Sequence, residues 1–360
     1  MDFLFTPEQD EAAELAASIL ADRTTNEQLK AVEAGGDRFD RDLWGRLASA
    51  GLLGLHLPEE YDGAGLGLIE LARLLVEVGK HVAPVPLAVH GAASYLLTAE
   101  GSTEQQRTWL PGAAAGSALL SAAVAEELTH LPTAPQMVAD GDGALTGTKT
   151  LVRAGMAADA LLVTATGPDG VGVYLLDTSA SGVERAAQRT SDGDATALLT
   201  LTSAPASRVG GAGAVQRLSE LLVTCAAAEQ LGVTEGALRL TAGYARTREQ
   251  FGRPIGTFQA VSQRLADGFI DVLGQRLTLW QAVWRLSEGL PAATEAATAK
   301  LWAADAGHRI AHTTVHVHGG VGIDLDGEAH RYFTAGKRFE FLFGGATEQA
   351  LAIGRGLASA

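Results

Sequence analysis

The sequence predicts a mainly α-helical chain with a small β-barrel or sandwich in its middle, and three observations support that fold class. Helix signals fill the first third of the chain. Short β-prone runs, separated by Gly-Asp and Pro-Asp-Gly turns, occupy the middle. Helical periodicity returns after Gly210-Gly211 and continues to the end. We therefore expect a helical domain at residues 1–117, a β domain at 118–209 and a helical domain at 210–360.

Helix start and stop signals define the first domain. Thr6-Pro7-Glu8-Gln9 combines an N-cap threonine, a proline at the first helical position and a capping-box glutamine. A second helix is predicted over Asp40–Ala50, ended by Gly51. A third runs from Leu68 to about Val78, before the prolines of Ala83-Pro84-Val85-Pro86 interrupt it.

Short strands and long helices complete the chain. The runs Ala160–Thr166, Val171–Leu176 and Leu198–Leu201 are rich in β-prone residues and bounded by turn signals. The first helix after Gly211 places apolar side chains at the i, i+3, i+4, i+7 spacing of a buried face. These side chains are Leu218, Leu221, Leu222 and Cys225.

Composition excludes several classes of protein. A hydrophobic content of 47% over 360 residues is too high for disorder, and a single cysteine excludes a disulfide scaffold and favours a reducing compartment. A net charge of −15 opposes binding to nucleic acid or anionic membranes. The N-terminus is acidic and periodic, unlike a signal peptide, and no apolar run approaches the roughly 20 residues of a membrane span. We expect a cytoplasmic protein without nucleic-acid or membrane partners.

Two segments combine residues suited to binding a phosphate. In "YARTREQFGRPIGTFQ", residues 244–259, Arg248 follows a predicted helix, where its planar guanidinium can pair with phosphate oxygens. In "VHVHGGVG", residues 315–322, a helix runs into a glycine-rich turn that lets a ligand approach the backbone. Ordinary helix ends and turns explain the glycines and the proline. They do not explain the arginine and the aromatic residue together.

These segments resemble the acyl-CoA dehydrogenase family. The first resembles its Arg-x-x-Phe-Gly flavin signature and the second its Gln-x-x-Gly-Gly-x-Gly turn. "LPEEYDGAGLG" near the start of the chain resembles its N-terminal loop. The helix–strand–helix order is also that of the family, so the resemblance covers the whole chain. It implies an N-terminal helical domain, a middle β-barrel and a C-terminal four-helix bundle around FAD and a CoA thioester.

The resemblance also implies cofactor-binding residues. Arg248, Phe251 and Gln259 would contact the ADP half of an FAD that a neighbouring subunit mainly holds. Gly319 and Gly320 would line the pyrophosphate of the same FAD. His316, which stands where the family has glutamine, would donate a hydrogen bond there.

Residues that the family uses for catalysis are missing. Its catalytic glutamate, in a Tyr-Glu-Gly-Thr context, corresponds to the stretch 342–346, which has no carboxylate. The position used by other members falls on Leu222. Glu220 lies two residues away, turned by roughly 200° around the helix, and is an alternative base. On the ring side of the flavin, a tryptophan is replaced by Leu151, and a glycine-rich loop is condensed to residues 125–130.

The resemblance therefore implies half of a flavin site. We expect a subunit of an α2β2 acyl-CoA dehydrogenase that contributes the ADP side of the FAD site, while a homologous chain supplies the catalytic glutamate. The complex would oxidise an acyl-CoA, with a steroid side chain expected, to the 2-enoyl-CoA. An electron-transfer flavoprotein is an expected electron acceptor. Two alternatives stay open: a self-sufficient homo-oligomeric enzyme using Glu220, and a catalytically dead homologue that stabilises a partner.

Other catalytic arrangements lack support in the sequence. His308, His312 and His316 have the i, i+4, i+8 spacing of metal ligands, but no cysteine or acidic residue joins them in a motif, and no metal is expected. There is no Gly-x-Ser-x-Gly elbow for a hydrolase. No Gly-x-Gly-x-x-Gly follows a strand as in a nicotinamide-binding domain.

Overall fold

The computed structural model describes residues 5–358 as helices, a β-sheet and further helices. Its first layer is helical, and the Thr6 capping box starts α1 as the sequence predicts. Short 3-10 turns at Leu52–Gly54 and Glu59–Tyr61 join α3 to α4. The helices are α1 (Pro7–Arg23), α2 (Asn26–Ala34), α3 (Arg41–Ser49), α4 (Leu68–Lys80), α5 (Leu87–Glu100) and α6 (Thr103–Ala114).

Eight strands then form one sheet in the order β6-β7-β3-β2-β4-β5-β8, with β1 pairing with β4 beside this path. All three predicted strands are present, as β4, β5 and β7. The strands are β1 (Leu120–Ala123), β2 (Val138–Ala139), β3 (Leu145–Val152), β4 (Ala160–Gly167), β5 (Gly170–Asp177), β6 (Val183–Gln188), β7 (Thr196–Ala204) and β8 (Ser207–Gly210).

The predicted closure of this sheet into a barrel is wrong. Strands β6 and β8 are the two ends of the strand order, and within residues 5–358 no ladder joins them. Strand β6 is mostly exposed and carries Glu184 and Arg185, while β8 has only four residues. Charged and short edge strands resist further pairing, which accounts for the open sheet.

The remaining helices form a bundle around α9. Helix α9 packs against α7, α8, α10 and α11, and α7 also packs against α8 and α10. A two-stranded hairpin of β9 and β10 and a 3-10 turn at Ile255–Thr257 separate α7 from α8. The elements are α7 (Ala212–Thr247), β9 (Glu249–Gln250), β10 (Arg253–Pro254), α8 (Gln259–Ser287), α9 (Ala293–His318), α10 (Ala329–Phe341) and α11 (Ala346–Ala358).

Helix α7 joins the two helical layers. Its predicted apolar stripe is buried. It meets α4 at two glycines: a Cβ on Gly79 would lie 2.0 Å from the Glu229 carbonyl oxygen, and one on Gly232 would lie 2.0 Å from that of Val76. The two helix backbones therefore touch, and any larger side chain would force them apart. Within residues 5–358, no helix is long and apolar enough to cross a membrane.

Candidate functional site

The structure brings the two predicted binding segments together. Arg248 is the residue that ends α7, and Gly319 ends α9. The ring of Tyr244, one turn before Arg248, stacks on the ring of His318, with centroids 4.3 Å apart and planes 23° apart. The ends of α7 and α9 therefore lie side by side. We call this region the α7–α9 edge and define it by the six predicted residues Arg248, Phe251, Gln259, His316, Gly319 and Gly320.

The α7–α9 edge is open to solvent. All six residues are exposed, Phe251 to 92%. Within the described part of the chain, the Arg248 guanidinium has no hydrogen bond, ion pair or ring contact. An exposed arginine without a carboxylate partner keeps all its N–H donors available to a phosphate.

A tight hairpin turn presents Phe251. Residues Phe251 and Gly252 have φ values of +55° and +74° and connect β9 to β10, as in a type I′ turn. The N–H of Ile255 closes the loop by donating to the Arg248 carbonyl at 2.8 Å. A positive φ at a bulky residue costs about 1–3 kcal/mol. The turn holds the Phe251 ring in solvent, 92% exposed and outside the core.

The glycine turn after α9 leaves room for a ligand. Gly319 has φ +66° and ψ −141°, which is accessible essentially only to glycine. A Cβ added at Gly319 or at Gly320 would meet no atom within 4 Å. Packing within the chain therefore does not require a glycine at position 320. Close approach of a ligand to the backbone would require one.

A second candidate region is an open cavity of about 620 Å³. One face of α7 lines it through Gln216, Ser219, Glu220 and Val223, at i, i+3, i+4 and i+7. The opposite wall comes from α11, the start of α9 and the loop at residues 129–133. This volume is in the range of small-molecule sites.

Glu220 faces this cavity, while Leu222 is buried in the core. The side-chain amide of Gln216 donates to Glu220 Oε1 at 2.8 Å. Burial raises the pKa of the Glu220 carboxyl, and the bond from Gln216 only partly opposes that shift. Both residues also line a smaller cavity of about 260 Å³ on the side of α5 and α8. Glu220 therefore lies between two cavities and is the α7 carboxylate that can reach a ligand there.

The opposite wall of the cavity has a glycine where the family motif has its glutamate. If Tyr-Glu-Gly-Thr is laid on residues 343–346, the glutamate falls on Gly344, which lines the cavity. Gly344 has φ +97°, and a Cβ there would lie 2.9 Å from Gln349 Nε2. Nearby Glu348 accepts a hydrogen bond from the Gly345 N–H at 2.7 Å. The turn is therefore built around the absence of a side chain at position 344.

A buried lysine holds that turn. Lys300 Nζ donates to the carbonyl oxygens of Phe339, Glu340 and Gly344, at 2.9, 3.2 and 3.0 Å. Burial lowers the pKa of Lys300 to about 7. The Lys300 ammonium therefore satisfies two carbonyl groups in the last turn of α10 and one in the turn that follows, and it supports the cavity wall without lining the cavity.

The loop at residues 125–130 is bonded within the chain. Glu126 accepts from the N–H groups of Gln136 and Met137, at 2.7 and 3.0 Å, and from Lys149 Nζ at 2.7 Å. Burial opposes ionisation of Glu126, but these three donors hold its pKa below the usual range. Leu151 has φ +51°, and its N–H donates to Gln188 Oε1 at 2.8 Å. These polar groups are already satisfied.

A buried charge cluster joins the sheet to the bundle. The Arg153 guanidinium binds both carboxylate oxygens of Glu229 at 2.6 and 2.9 Å, and its Nε donates to Asp194 at 2.6 Å. All three side chains are buried. The two carboxylates raise the pKa of Arg153 well above its usual value. The sequence analysis missed this cluster, although charged residues within the apolar runs "TLVRAG" and "AAAEQLG" are a signal for it.

The two regions differ in how well they fit a flavin nucleotide. The α7–α9 edge offers an exposed arginine, an exposed aromatic ring and a glycine turn, which suit a phosphate-bearing ligand. Around Leu151 the buried charged residues Glu126, Lys149 and Arg153 are bonded to groups of this chain. The α7–α9 edge therefore fits the nucleotide half of FAD, whereas the charged groups near Leu151 are occupied by partners within this chain.

Known proteins resemble the chain along its whole length. The model of the acyl-CoA dehydrogenase N-terminal domain matches residues 6–117, and that of the C-terminal domain matches residues 212–358. Acyl-CoA dehydrogenase FadE27 of Mycobacterium tuberculosis is 44% identical over 99% of both chains. FadE28 of the same organism is 33% identical over 98% of both chains.

Solved structures give the same result. A chain of the ChsE4–ChsE5 complex from Mycobacterium tuberculosis is 44% identical, covers 100% of both chains and has a TM-score of 0.96. A chain of the Tcur3481–Tcur3483 steroid ACAD G363A variant is 43% identical over 98% of both chains, with a TM-score of 0.94. The predicted resemblance is confirmed: the chain belongs to the acyl-CoA dehydrogenase family, whose members are FAD-dependent oxidoreductases.

Proposed function

We propose that this chain is the base-lacking subunit of a hetero-oligomeric acyl-CoA dehydrogenase and contributes the ADP side of a flavin site that a homologous chain completes. The complex oxidises an acyl-CoA, carrying a steroid side chain, to the 2-enoyl-CoA. FAD, when bound, supplies the hydride acceptor, and an electron-transfer flavoprotein takes the electrons onward. The partner chain supplies the carboxylate that removes the α-proton of the substrate.

One observation carries this proposal: the predicted nucleotide residues point away from their own chain. Arg248 has no partner within residues 5–358, and Phe251 is almost fully exposed. In contrast, position 344 is a glycine with a positive φ, and the charged groups near Leu151 bind one another. Such a chain can bind a nucleotide from outside but lacks the groups for proton abstraction at the family position.

Each edge residue has a role in holding the nucleotide. Arg248 places a positive charge and paired N–H donors against a phosphate. Gly319 and Gly320 let the phosphate approach the backbone, and His316 donates a hydrogen bond from its ring. Phe251 and Gln259 contact the remainder of the ADP half. Together these residues orient the cofactor and exclude water from its phosphates.

The relatives support a two-chain assembly with a steroid substrate. Two similar structures are named as pairs of chains, ChsE4–ChsE5 and Tcur3481–Tcur3483, and the second pair is named a steroid ACAD. A chain of similar fold, with 26% identity and a TM-score of 0.91, belongs to a structure named for the electron transferring flavoprotein of Acidaminococcus fermentans. That name supports the proposed electron acceptor.

The test is Arg248→Ala in the complex purified from the source organism through a tag on this chain. We expect the affinity for FAD to fall by about 10–100-fold, because a charge-assisted hydrogen bond contributes about 1.5–3 kcal/mol. Flavin absorbance per complex, measured during FAD titration, gives the affinity. The matched control is Arg246→Ala, an exposed arginine two residues before Arg248, in the last turn of α7. Unchanged FAD affinity in Arg248→Ala would contradict the proposal and favour a purely stabilising homologue.

A self-sufficient enzyme is the second candidate, because Glu220 faces the cavity with a raised pKa. Glu220→Gln removes the base and keeps an acceptor for Gln216. If this chain, purified alone, holds FAD and dehydrogenates acyl-CoA, and Glu220→Gln abolishes turnover, the second candidate replaces the first. We expect the chain alone to show no turnover, and Glu220→Gln in the complex to leave kcat unchanged.

A further inference from the structure

The larger cavity beside Glu220 has no role in the proposed half-site, yet its size suits a small molecule. Its walls are mainly apolar and include Val215, Val223, Phe343 and Leu351. Its volume of about 620 Å³ lies within the range of sites for drug-sized ligands, about 300–1,000 Å³. The cavity can therefore hold a ligand with a sizeable apolar body.

One carboxyl oxygen of Glu220 is available to such a ligand. Glu220 Oε1 accepts a hydrogen bond from the Gln216 side-chain amide at 2.8 Å, and within residues 5–358 no group hydrogen-bonds to Oε2. Both residues line the larger and the smaller cavity, so the pair lies where the two cavities meet. A half-buried carboxyl oxygen without a partner incurs a desolvation cost. A hydrogen bond from a ligand would offset that cost.

A hydroxyl group on the ligand can pair with Glu220 in either protonation state of the carboxyl. Burial raises the pKa of Glu220. The protonated carboxyl donates to a hydroxyl or carbonyl oxygen, and the ionised carboxylate accepts from a hydroxyl hydrogen. A ketone pairs with the protonated form alone. The carboxyl at this position therefore favours a ligand that carries a hydroxyl group.

The charged groups of the lining oppose an anionic ligand. Glu220 and Glu348 both line the cavity, and Arg355 is the only lysine or arginine in that lining within the described part of the chain. Burial lowers the pKa of His130, so its ring is neutral at pH 7. The phosphates of a CoA thioester would meet one permanent cation and up to two negative charges. A neutral molecule fits this lining better.

We propose that this cavity is a non-catalytic binding site for a neutral steroid that bears a hydroxyl group. The choice of a steroid rests on the proposed function, because a complex that oxidises steroid acyl-CoA substrates works where steroids are present. The hydroxyl group pairs with Glu220, and the apolar body of the steroid contacts the walls formed by α7, α9 and α11. The steroid enters without a CoA group. With glycine at position 344, the bound steroid meets no carboxylate at the family's catalytic position.

The test is binding of radiolabelled pregnenolone, a neutral hydroxysteroid, to the complex purified through a tag on this chain, measured by equilibrium dialysis. Ala297→Phe places a ring in the cavity, and we expect it to remove this class of binding sites. Glu220→Ala removes the partner of the hydroxyl group, and we expect binding to weaken by about 2–10-fold, the contribution of one hydrogen bond. The matched control is Ala31→Phe, which adds the same ring to an exposed alanine of α2 that does not line the cavity, and leaves binding unchanged.

Pregnenolone sulfate tests the choice of a neutral ligand. It has the same skeleton, but a sulfate replaces the hydroxyl hydrogen and places a negative charge beside the carboxyl groups of the lining. We expect it to bind more weakly than pregnenolone by about tenfold or more. Equal or tighter binding of the sulfate overturns the proposal of a neutral ligand.

The remaining outcomes are also decisive. Pregnenolone binding that survives Ala297→Phe unchanged overturns the proposal and assigns the probe to the partner chain. If circular dichroism shows that Ala297→Phe is unfolded, Glu220→Ala decides, and unchanged binding in that variant overturns the proposal. If pregnenolone does not bind while Arg248→Ala lowers the affinity for FAD, the proposed half-site stands and the steroid site fails. If pregnenolone binding depends on Ala297 and Glu220 while Arg248→Ala keeps full FAD affinity, the steroid site stands and the half-site fails.

Discussion

Two arginines, one in a segment that matches the family's flavin signature and one beside Leu151, where the chain departs from the family, have opposite environments. Arg248, in "YARTREQFG", is exposed and has no partner within residues 5–358. Arg153, in "GTKTLVRAG", is 4% exposed and makes three short bonds to Glu229 and Asp194. Burial of a charge is tolerated only with such partners, so Arg153 belongs to the architecture. Arg248 keeps its hydration and its donors, so it is available to a ligand.

A position in a region that the family uses around its flavin does not by itself identify a functional arginine. Both side chains carry the same charge and lie in regions that the family uses around its flavin. Burial and pairing separate them: the Arg153 guanidinium is buried against two carboxylates and is inaccessible to a phosphate, whereas that of Arg248 is exposed. The substitutions below therefore have opposite expected effects on stability and on cofactor binding.

Removing the buried arginine has the largest expected effect. Arg153→Met leaves Asp194 and Glu229 buried without the cation that is hydrogen-bonded to both, and we expect a loss of about 3–5 kcal/mol in the free energy of unfolding. Urea denaturation measures this loss. Adding Asp194→Asn and Glu229→Gln to Arg153→Met removes the orphaned charges and restores part of the stability. A loss below about 1 kcal/mol in the single variant would show that the cluster is not structural.

Two buried histidines, His56 and His90, make the stability of the fold depend on pH. Burial lowers the pKa of His56 to about 3 and of His90 to about 4, from 6.5 when unfolded. The unfolded chain therefore binds protons first as the pH falls, and stability is lost from pH 6.5 towards pH 4. We expect His56→Gln to remove about 1–2 kcal/mol of the stability difference between pH 7 and pH 5. Urea denaturation at both pH values checks this, and an unchanged difference would assign the acid sensitivity elsewhere.

The exposed arginine has the smallest expected effect on stability. Arg248→Ala removes no contact within the chain, so the free energy of unfolding of the isolated chain changes by less than about 0.5 kcal/mol. Thermal unfolding compares it with the unsubstituted chain. A loss above about 1 kcal/mol would mean that Arg248 supports the fold, and its loss of FAD affinity would then need another explanation.

Local signals predicted most of the elements. The Thr6 capping box starts α1, Asp40 caps α3, and Gly51 follows it with φ +73°. Such signals arise between residues about four positions apart, so they are visible in the sequence. Closure of the sheet depends instead on whether β6 meets β8 across the domain, and the barrel expected from the family resemblance was wrong.

The candidate site also combines features that the sequence supplied with features that depend on tertiary contacts. The resemblance supplied the numbers of the six edge residues, whose roles stay predictions. Their common location depends on the stack of Tyr244 on His318, 74 positions apart in the sequence. That Glu220 faces a cavity depends on how α9 packs against α7 and holds α11 on the other side of the cavity. Neither contact has a local signature.

The sequence by itself determined the family, the order of helices and strands, and which segments resemble a flavin site. Tertiary structure alone decided which charged residues are available. Arg153 reaches Asp194 and Glu229 across 41 and 76 positions of chain, whereas Arg248 meets no such partner within residues 5–358. The physical reason is that pairing and burial set the state of a charged side chain, and both depend on residues that only folding brings into contact.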